Sequence, residues 1–241
     1  MTRSGPLDRI RVVLCETSHP GNIGAAARAM KTMGLADLRL VVPQRFPDPE
    51  ARWRAARALD VLDAARVHAT LDEALRGTAL AVACTARTRE IGVQDVAARE
   101  AAARVVGLAR AQPVAIVFGN ETNGLTAEQV MKCGLIASIP ANPEYASLNL
   151  AAAVQVFAYE LRLAALDPGA AGSARALAPH EDVEAFYAYL ESLMSRAGFL
   201  NPEQPKKLMP RLRRLFARAG LEREEVNILR GLLKAISRPK E

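Results

Sequence analysis

The sequence predicts an α/β protein: a mostly parallel sheet covered by helices on both faces, followed by a small all-helical extension. Two observations carry this. Strand-like apolar runs alternate with segments of helical periodicity as far as about residue 166, the pattern of a parallel sheet buried on both sides. From about residue 179 onward helical periodicity continues without any strand signal.

The elements follow in order. Ile10–Glu16 reads as the first strand; Asn22–Met33 is helical, with Asn22 its cap and Gly34 closing it. Leu38–Val42 is a strand stopped by Pro43, and Asp48–Leu59 a helix with Pro49 in its first turn. Leu71–Arg76 is a short helix, Ala79–Cys84 a strand, Val93–Ala111 a long helix and Val114–Phe118 a β-branched, aromatic strand. Thr126–Lys132 opens on a capping threonine, Leu135–Ile139 is the last strand, and Ser147–Ala165 the last helix of this part. Residues 167–178, with Pro168, Gly169 and Gly172, suit a linker. Glu181–Arg196 and Glu222–Ser237 are helical, so the chain divides into a domain over 1–166, a linker over 167–178 and a helical unit over 179–241.

Bulk properties narrow the class. At 241 residues the chain holds one sizeable core, or a core and a small appendage. No apolar run reaches the roughly 20 residues that span a bilayer, and Met1–Asp8 has no signal-peptide stretch, so a cytoplasmic protein without membrane attachment is expected. Cys15, Cys84 and Cys133 are odd in number and far apart, and His19, His68 and His180 lack metal-ligand spacing; neither disulfides nor a metal is expected. A net charge of +6 favours a polyanionic partner.

Three polar segments each follow a strand and open a helix: His19–Arg28, Phe118–Leu125 and Ile139–Leu150. Ligands of open α/β sheets sit where such loops meet, at the carboxyl ends of the strands. Phe118–Leu125 lacks the dinucleotide and P-loop glycine patterns, which counts against NAD and ATP. Taken singly, each segment also fits an ordinary turn or helix cap.

In order and content the three segments resemble the motifs of the SpoU branch of the SPOUT RNA methyltransferases. The resemblance covers roughly the first two-thirds of the chain. It implies a C-terminal trefoil knot in the α/β domain, S-adenosylmethionine as cofactor and a homodimer whose site is completed across the interface. The segments Glu16–Asn22 and Ala141–Tyr145, with Leu221–Leu233 near the end, resemble a tRNA-modifying group of that branch. This implies methylation of a tRNA ribose 2′-hydroxyl, on cytidine or uridine at anticodon-loop position 32.

The same resemblance assigns roles. Arg28 matches the catalytic arginine and Asn22 its motif asparagine; Glu121, Ser147 and Asn149 complete the methyl-transfer site, with Glu121 a carboxylate to orient Arg28. Cys84, Thr85, Ala86, Gly119, Ile139, Ser147, Leu148 and Asn149 match cofactor contacts. Arg28 is open to two readings. It is a base for the hydroxyl, or, since a guanidinium releases its proton only far above neutral pH, an electrostatic clamp on phosphate or developing alkoxide.

Arg87 and Arg89, beside the Cys84–Ala86 segment, are candidate phosphate contacts or simply exposed loop arginines. The run 206–218 carries Lys206, Lys207, Arg211, Arg213, Arg214 and Arg218 without a carboxylate, as a solvated helix face or an RNA-binding surface would. Two other readings are a ribosomal-RNA 2′-O-methyltransferase of the same superfamily and a non-catalytic RNA-binding protein on this scaffold. The C-terminal pattern argues against the first, the intact set of Asn22, Arg28, Glu121, Ser147 and Asn149 against the second.

Overall fold

In the first strand, β1 (Ile10–Cys15), alternate side chains enter two different cores, which is why the run is apolar apart from Arg11. Ile10, Val12 and Leu14 join one core; Val13 and Cys15 join the other. The protein is seen here as a computed structural model that describes residues 5–86, 95–167 and 175–237. Six further strands complete the sheet: β2 (Asp37–Val41), β3 (Arg66–His68), β4 (Leu80–Cys84), β5 (Asp95–Ala97), β6 (Val114–Phe118) and β7 (Leu135–Ser138). Their order is β3-β2-β1-β6-β4-β7-β5, and every pairing is parallel.

The register is what positions the site. Leu14 and Cys84 both lie level with Phe118, and Cys84 lies level with Ala137. The loops after β1, β4, β6 and β7 therefore leave the sheet along one edge. Helices α1 (Pro20–Met33), α2 (Pro49–Ala55), α3 (Leu59–Asp63), α5 (Ala98–Ala109) and α7 (Leu150–Leu166) cover one face. The short α4 (Leu71–Leu75) and α6 (Ala127–Met131) cover the other. Gly34 ends α1 in the left-handed conformation at φ 85°, the closure its position predicts.

Several expectations change. The helix start falls on Pro20 with His19 as the cap, so Asn22 sits inside the first turn instead of capping it. The predicted helix 48–59 breaks at Ala56, whose φ of 51° ends α2 and lets α3 turn Val61 and Leu62 inward. β3 and β5 were not legible as strands because both are short outer strands; β5 buries only Val96, and β3 buries none of its residues. Part of the predicted helix from Val93 is thus β5, and α5 starts at Ala98.

The C-terminal helices are α8 (His180–Arg196), α9 (Leu208–Ala219) and α10 (Arg223–Ile236). They close a small core of Ala178, Phe186, Tyr187 and Val226, with Phe216 edge-on to Phe186 at 5.1 Å. Polar contacts seat this unit on the sheet domain: His180 Nε2 lies 2.9 Å from Asp72 Oδ1, whose other oxygen is 2.6 Å from Lys132 Nζ. Gly77 N–H donates to Glu181 at 2.8 Å. Of the predicted linker, residues 168–174 lie outside the described residues. Its end is anchored: Gln112 exchanges two hydrogen bonds with the backbone of Leu177, and Ala178 is buried.

Candidate active site

Beyond the carboxyl edge of the sheet, the loop after β1 is held in a costly conformation. Glu16 has φ 52°, the left-handed region that a non-glycine residue enters at a cost of roughly 1–3 kcal/mol. Three contacts hold it there. Its N–H donates to Val41 O, its carbonyl accepts from Asn120 Nδ2 at 2.7 Å, and its carboxylate accepts from Gln129 Nε2 at 2.9 Å. The β1 loop is thereby tied to the β6 loop and to α6.

Glu121 is the hub of the site. Oε2 accepts from Ser18 N–H at 2.9 Å and Ser18 Oγ at 2.8 Å; Oε1 accepts from His19 N–H at 3.2 Å and Asn22 Nδ2 at 2.9 Å. Partial burial by itself pushes this carboxyl up, but the Asn22 amide and the Ser18 donors hold it below its ordinary value. Glu121 is therefore held as an anion, with each oxygen already accepting two hydrogen bonds.

The network runs on into the third segment. Asn22 Oδ1 accepts from Asn149 Nδ2 at 3.0 Å, and Asn149 Oδ1 accepts from Ala151 N–H and Ala152 N–H at the start of α7. Asn149 is the helix cap, a role that the sequence alone suggested more readily for Ser147. One hydrogen-bonded chain thus joins loops more than a hundred residues apart: α7 to Asn149, Asn22, Glu121 and back to the β1 loop. Ser147 is exposed on the wall of the adjoining cleft, without a partner among the described residues.

That cleft is lined by Cys84, Thr85 and Ala86 from the β4 end, Phe118 to Thr122 and Gly124 from the β6 loop, Ile139, and Ala146 to Leu148 with the first turns of α7. It encloses about 150 Å³ and opens to solvent. Its walls are largely apolar side chains and backbone; Glu121 is its carboxylate, and no described lining residue is a cation. Gly119 is required by the loop itself, since a Cβ there would stand 2.1 Å from the backbone of Gly124. The β4, β6 and β7 loops therefore meet as expected, and each expected cofactor contact except Asn149 lines the cleft.

Arg28 does not join this cluster. Six residues beyond Asn22 it is rotated by about 240° and lies about 9 Å further along the helix. It is exposed, does not line the cleft, and pairs with no side chain among the described residues. The expectation that Glu121 orients Arg28 is accordingly replaced: Ser18, His19 and Asn22 take up that carboxylate. Ser18 and Glu16 were missed as site residues. A polar residue ending an apolar strand was the available signal, but only folding brings Glu121 to Ser18.

Of the expected RNA contacts, Arg87 and Arg89 lie outside the described residues. Lys206, Lys207, Arg211, Arg214 and Arg218 are exposed. Arg211, Arg214 and Arg218 recur at helical spacing along one side of α9. Arg213 differs: its guanidinium makes two bonds to Glu184 at 2.6 and 2.7 Å and stacks 4.3 Å from the Tyr187 ring centroid. It is neutralised in the helical core, which removes it from the set of available cations.

Comparison with known proteins agrees with this site. Residues 9–159 match the SpoU rRNA methylase family, and residues 181–241 match the C-terminal domain of the tRNA methyltransferase TrmJ. A tRNA (cytidine/uridine-2′-O-)-methyltransferase TrmJ from Yersinia pestis (strain Pestoides F) is 48% identical over 238 residues, 96% of this chain and 93% of that protein. A tRNA (cytidine/uridine/adenosine-2′-O-)-methyltransferase TrmJ from Pseudomonas aeruginosa (strain UCBPP-PA14) is 48% identical over 94% of this chain and 93% of its own. The crystal structure of TrmJ from Z. mobilis ZM4 superposes with a TM-score of 0.84 at 34% identity, covering 95% of this chain and 99% of that one. With the three polar loops knit around one cleft and the helical unit following, the chain belongs to the SpoU methylase family, within its TrmJ group.

Proposed function

We propose that this protein is an S-adenosylmethionine-dependent tRNA ribose 2′-O-methyltransferase, acting on cytidine or uridine at anticodon-loop position 32. The observation that carries the reading is the continuous chain Asn149–Asn22–Glu121–Ser18 beside a cleft in which no described lining residue is a cation. Such a lining fits an adenosyl group between Ile139, Leu148 and the β4 end, and tolerates a positively charged sulfonium. Bound there, the cofactor supplies an electrophilic methyl group.

The residues of the chain then position and exclude. Ile139, Leu148 and Phe157 offer apolar walls for the adenosyl group to pack against. Ser147 Oγ stands on the cleft wall as a polar contact for the incoming ribose, and Asn149 fixes the start of α7 behind it. Glu121 keeps Asn22 and the start of α1 in one arrangement, so that positioning, worth up to roughly 7–11 kcal/mol, is not dissipated in loop motion. Arg28 grips the phosphate or the developing alkoxide.

Arg28 reaches a cleft only if a second copy supplies it. We therefore include a homodimer in the proposal. Tyr159, Leu163 and Leu166 form an exposed apolar stripe at i, i+4, i+7 on α7, and α7 packs on α1, which bears Arg28. Pairing two copies along this stripe suits the isologous symmetry of most dimers. The knotted chain path, the division into domains over 1–166 and 179–241 joined by a linker over 167–178, and a cytoplasmic location belong to the same reading.

The test is transfer of labelled methyl from S-adenosylmethionine to total tRNA lacking this modification, with nuclease mapping of the product. No label in tRNA, or label at a base instead of a ribose, would overturn the reading.

A further inference from the structure

The chain has a single tryptophan, and it lies on the surface. Trp53, on α2, is 75% exposed. An indole normally buries a large apolar area, so one left in water needs a reason. The Arg54 guanidinium stands 5.1 Å from the ring centroid, and at this exposure most of the ring surface remains open.

The location links this ring to the cleft. His19 N–H donates to Glu121, and the His19 ring lies 3.8 Å from Glu50 Oε1 at the start of α2. Trp53 follows Glu50 by three residues and so stands beside it on the same helix face, roughly 5–6 Å away between Cβ atoms. The ring is one helical turn from a contact with the methyl-transfer loop.

The charge around it is suited to a polyanion. Over residues 48–63, Asp48 pairs with Arg45, Glu50 with His19, Asp60 with Lys31 and Asp63 with Arg52. Three of the four carboxylates of the segment thus have a cationic partner and Glu50 faces the His19 ring, while Arg54 faces the indole and Arg57 pairs with no carboxylate among the described residues. A flat aromatic ring with surplus guanidinium groups, next to the site, is the arrangement that stacks an unpaired nucleobase and neutralises its phosphate.

We propose that Trp53, backed by Arg54, is a stacking platform for an unpaired base of the RNA substrate next to the target nucleotide. This rests on the reading of the protein as a tRNA ribose methyltransferase. Because the tryptophan is unique, its fluorescence reports the contact directly.

The experiment titrates the full-length protein with substrate tRNA while following tryptophan emission. In parallel, methyl-transfer kinetics compare the wild type with Trp53→Ala and Trp53→Phe. The expected result is saturable quenching by tRNA, a rise in KM for tRNA of about tenfold in Trp53→Ala, and recovery of most of that loss in Trp53→Phe. Cofactor affinity and kcat at saturating tRNA stay as in the wild type. If wild-type protein methylates tRNA but tRNA leaves the emission unchanged, or if Trp53→Ala keeps the wild-type KM, the platform is refuted and the methyltransferase reading stands. A Trp53→Ala protein that changes its sedimentation coefficient makes the ring a contact between copies, which also refutes the platform. A wild type that neither binds nor methylates tRNA overturns both readings.

Discussion

Replacing Glu121 by glutamine changes one oxygen to an amide nitrogen and leaves the shape almost intact. Four donors converge on this carboxylate, two on each oxygen. Whichever way the amide turns, its NH₂ faces two donors. Ser18 Oγ and the Asn22 amide are able to reorient; the Ser18 and His19 backbone N–H groups are not. Hydrogen bonds to a charged group contribute about 1.5–3 kcal/mol each, so the one backbone bond that cannot be remade amounts to roughly 1.5–3 kcal/mol before water replaces part of it. With the carboxylate only partly buried, the expected net effect is about 1–2 kcal/mol on the order of the loops. If that order is what the transition state needs, kcat falls roughly 5- to 30-fold. The assay is single-turnover methyl transfer with cofactor and tRNA saturating, alongside urea denaturation. Glutamine at position 121 with kcat within threefold of wild type would refute the hub argument. The pH dependence has a definite sign: the folded pKa of Glu121 lies below its ordinary 4.5. Its stabilisation is therefore complete above about pH 4.5 and lost as pH falls through the folded value, so the neutral range shows no Glu121 titration.

Asn149→Ala removes both the α7 cap and the tie to Asn22; a loss of about 1 kcal/mol in stability is expected by thermal melting, with a larger proportional loss in kcat. Arg28→Ala is expected to leave the melting temperature unchanged, because that side chain pairs with nothing described, while methyl transfer falls at least tenfold in a direct assay. Arg213→Ala strips a partly buried ion pair and ring contact, so the helical unit should lose about 1–3 kcal/mol in denaturant titration. Arg211→Glu with Arg214→Glu and Arg218→Glu should instead spare stability, weaken tRNA binding and flatten its salt dependence in filter-binding measurements. Leu163→Glu is expected to shift the protein toward monomer in sedimentation and to reduce activity together with it.

How far the chain could be read in advance differs between elements. The five inner strands, β1, β2, β4, β6 and β7, were legible because each is buried on both faces and so is mainly apolar: β4 and β6 are unbroken apolar runs, and β1 and β2 are interrupted inside only by Arg11 and Arg39. β3 and β5 were not, since an outer strand of three residues with one or no buried side chain carries no periodic signal. The start of α7 was placed early, at Ser147, because serine and asparagine both suit a helix start, and only the observed bonds to Ala151 and Ala152 choose Asn149 as the cap.

For the site, sequence determined the inventory: three polar loops at strand ends, the kinds of group they carry, and a basic C-terminal helix. These are local properties, written in residue type and spacing. Tertiary structure decided who meets whom. Glu121 turned to Ser18, His19 and Asn22 and left Arg28 outside; Arg213 was drawn into an ion pair while its neighbours stayed in water; Glu50, one helical turn before Trp53, came to face the His19 ring. Such pairings depend on strand order and helix rotation. Those are fixed by burying two cores at once, a condition on the whole chain that no single segment carries.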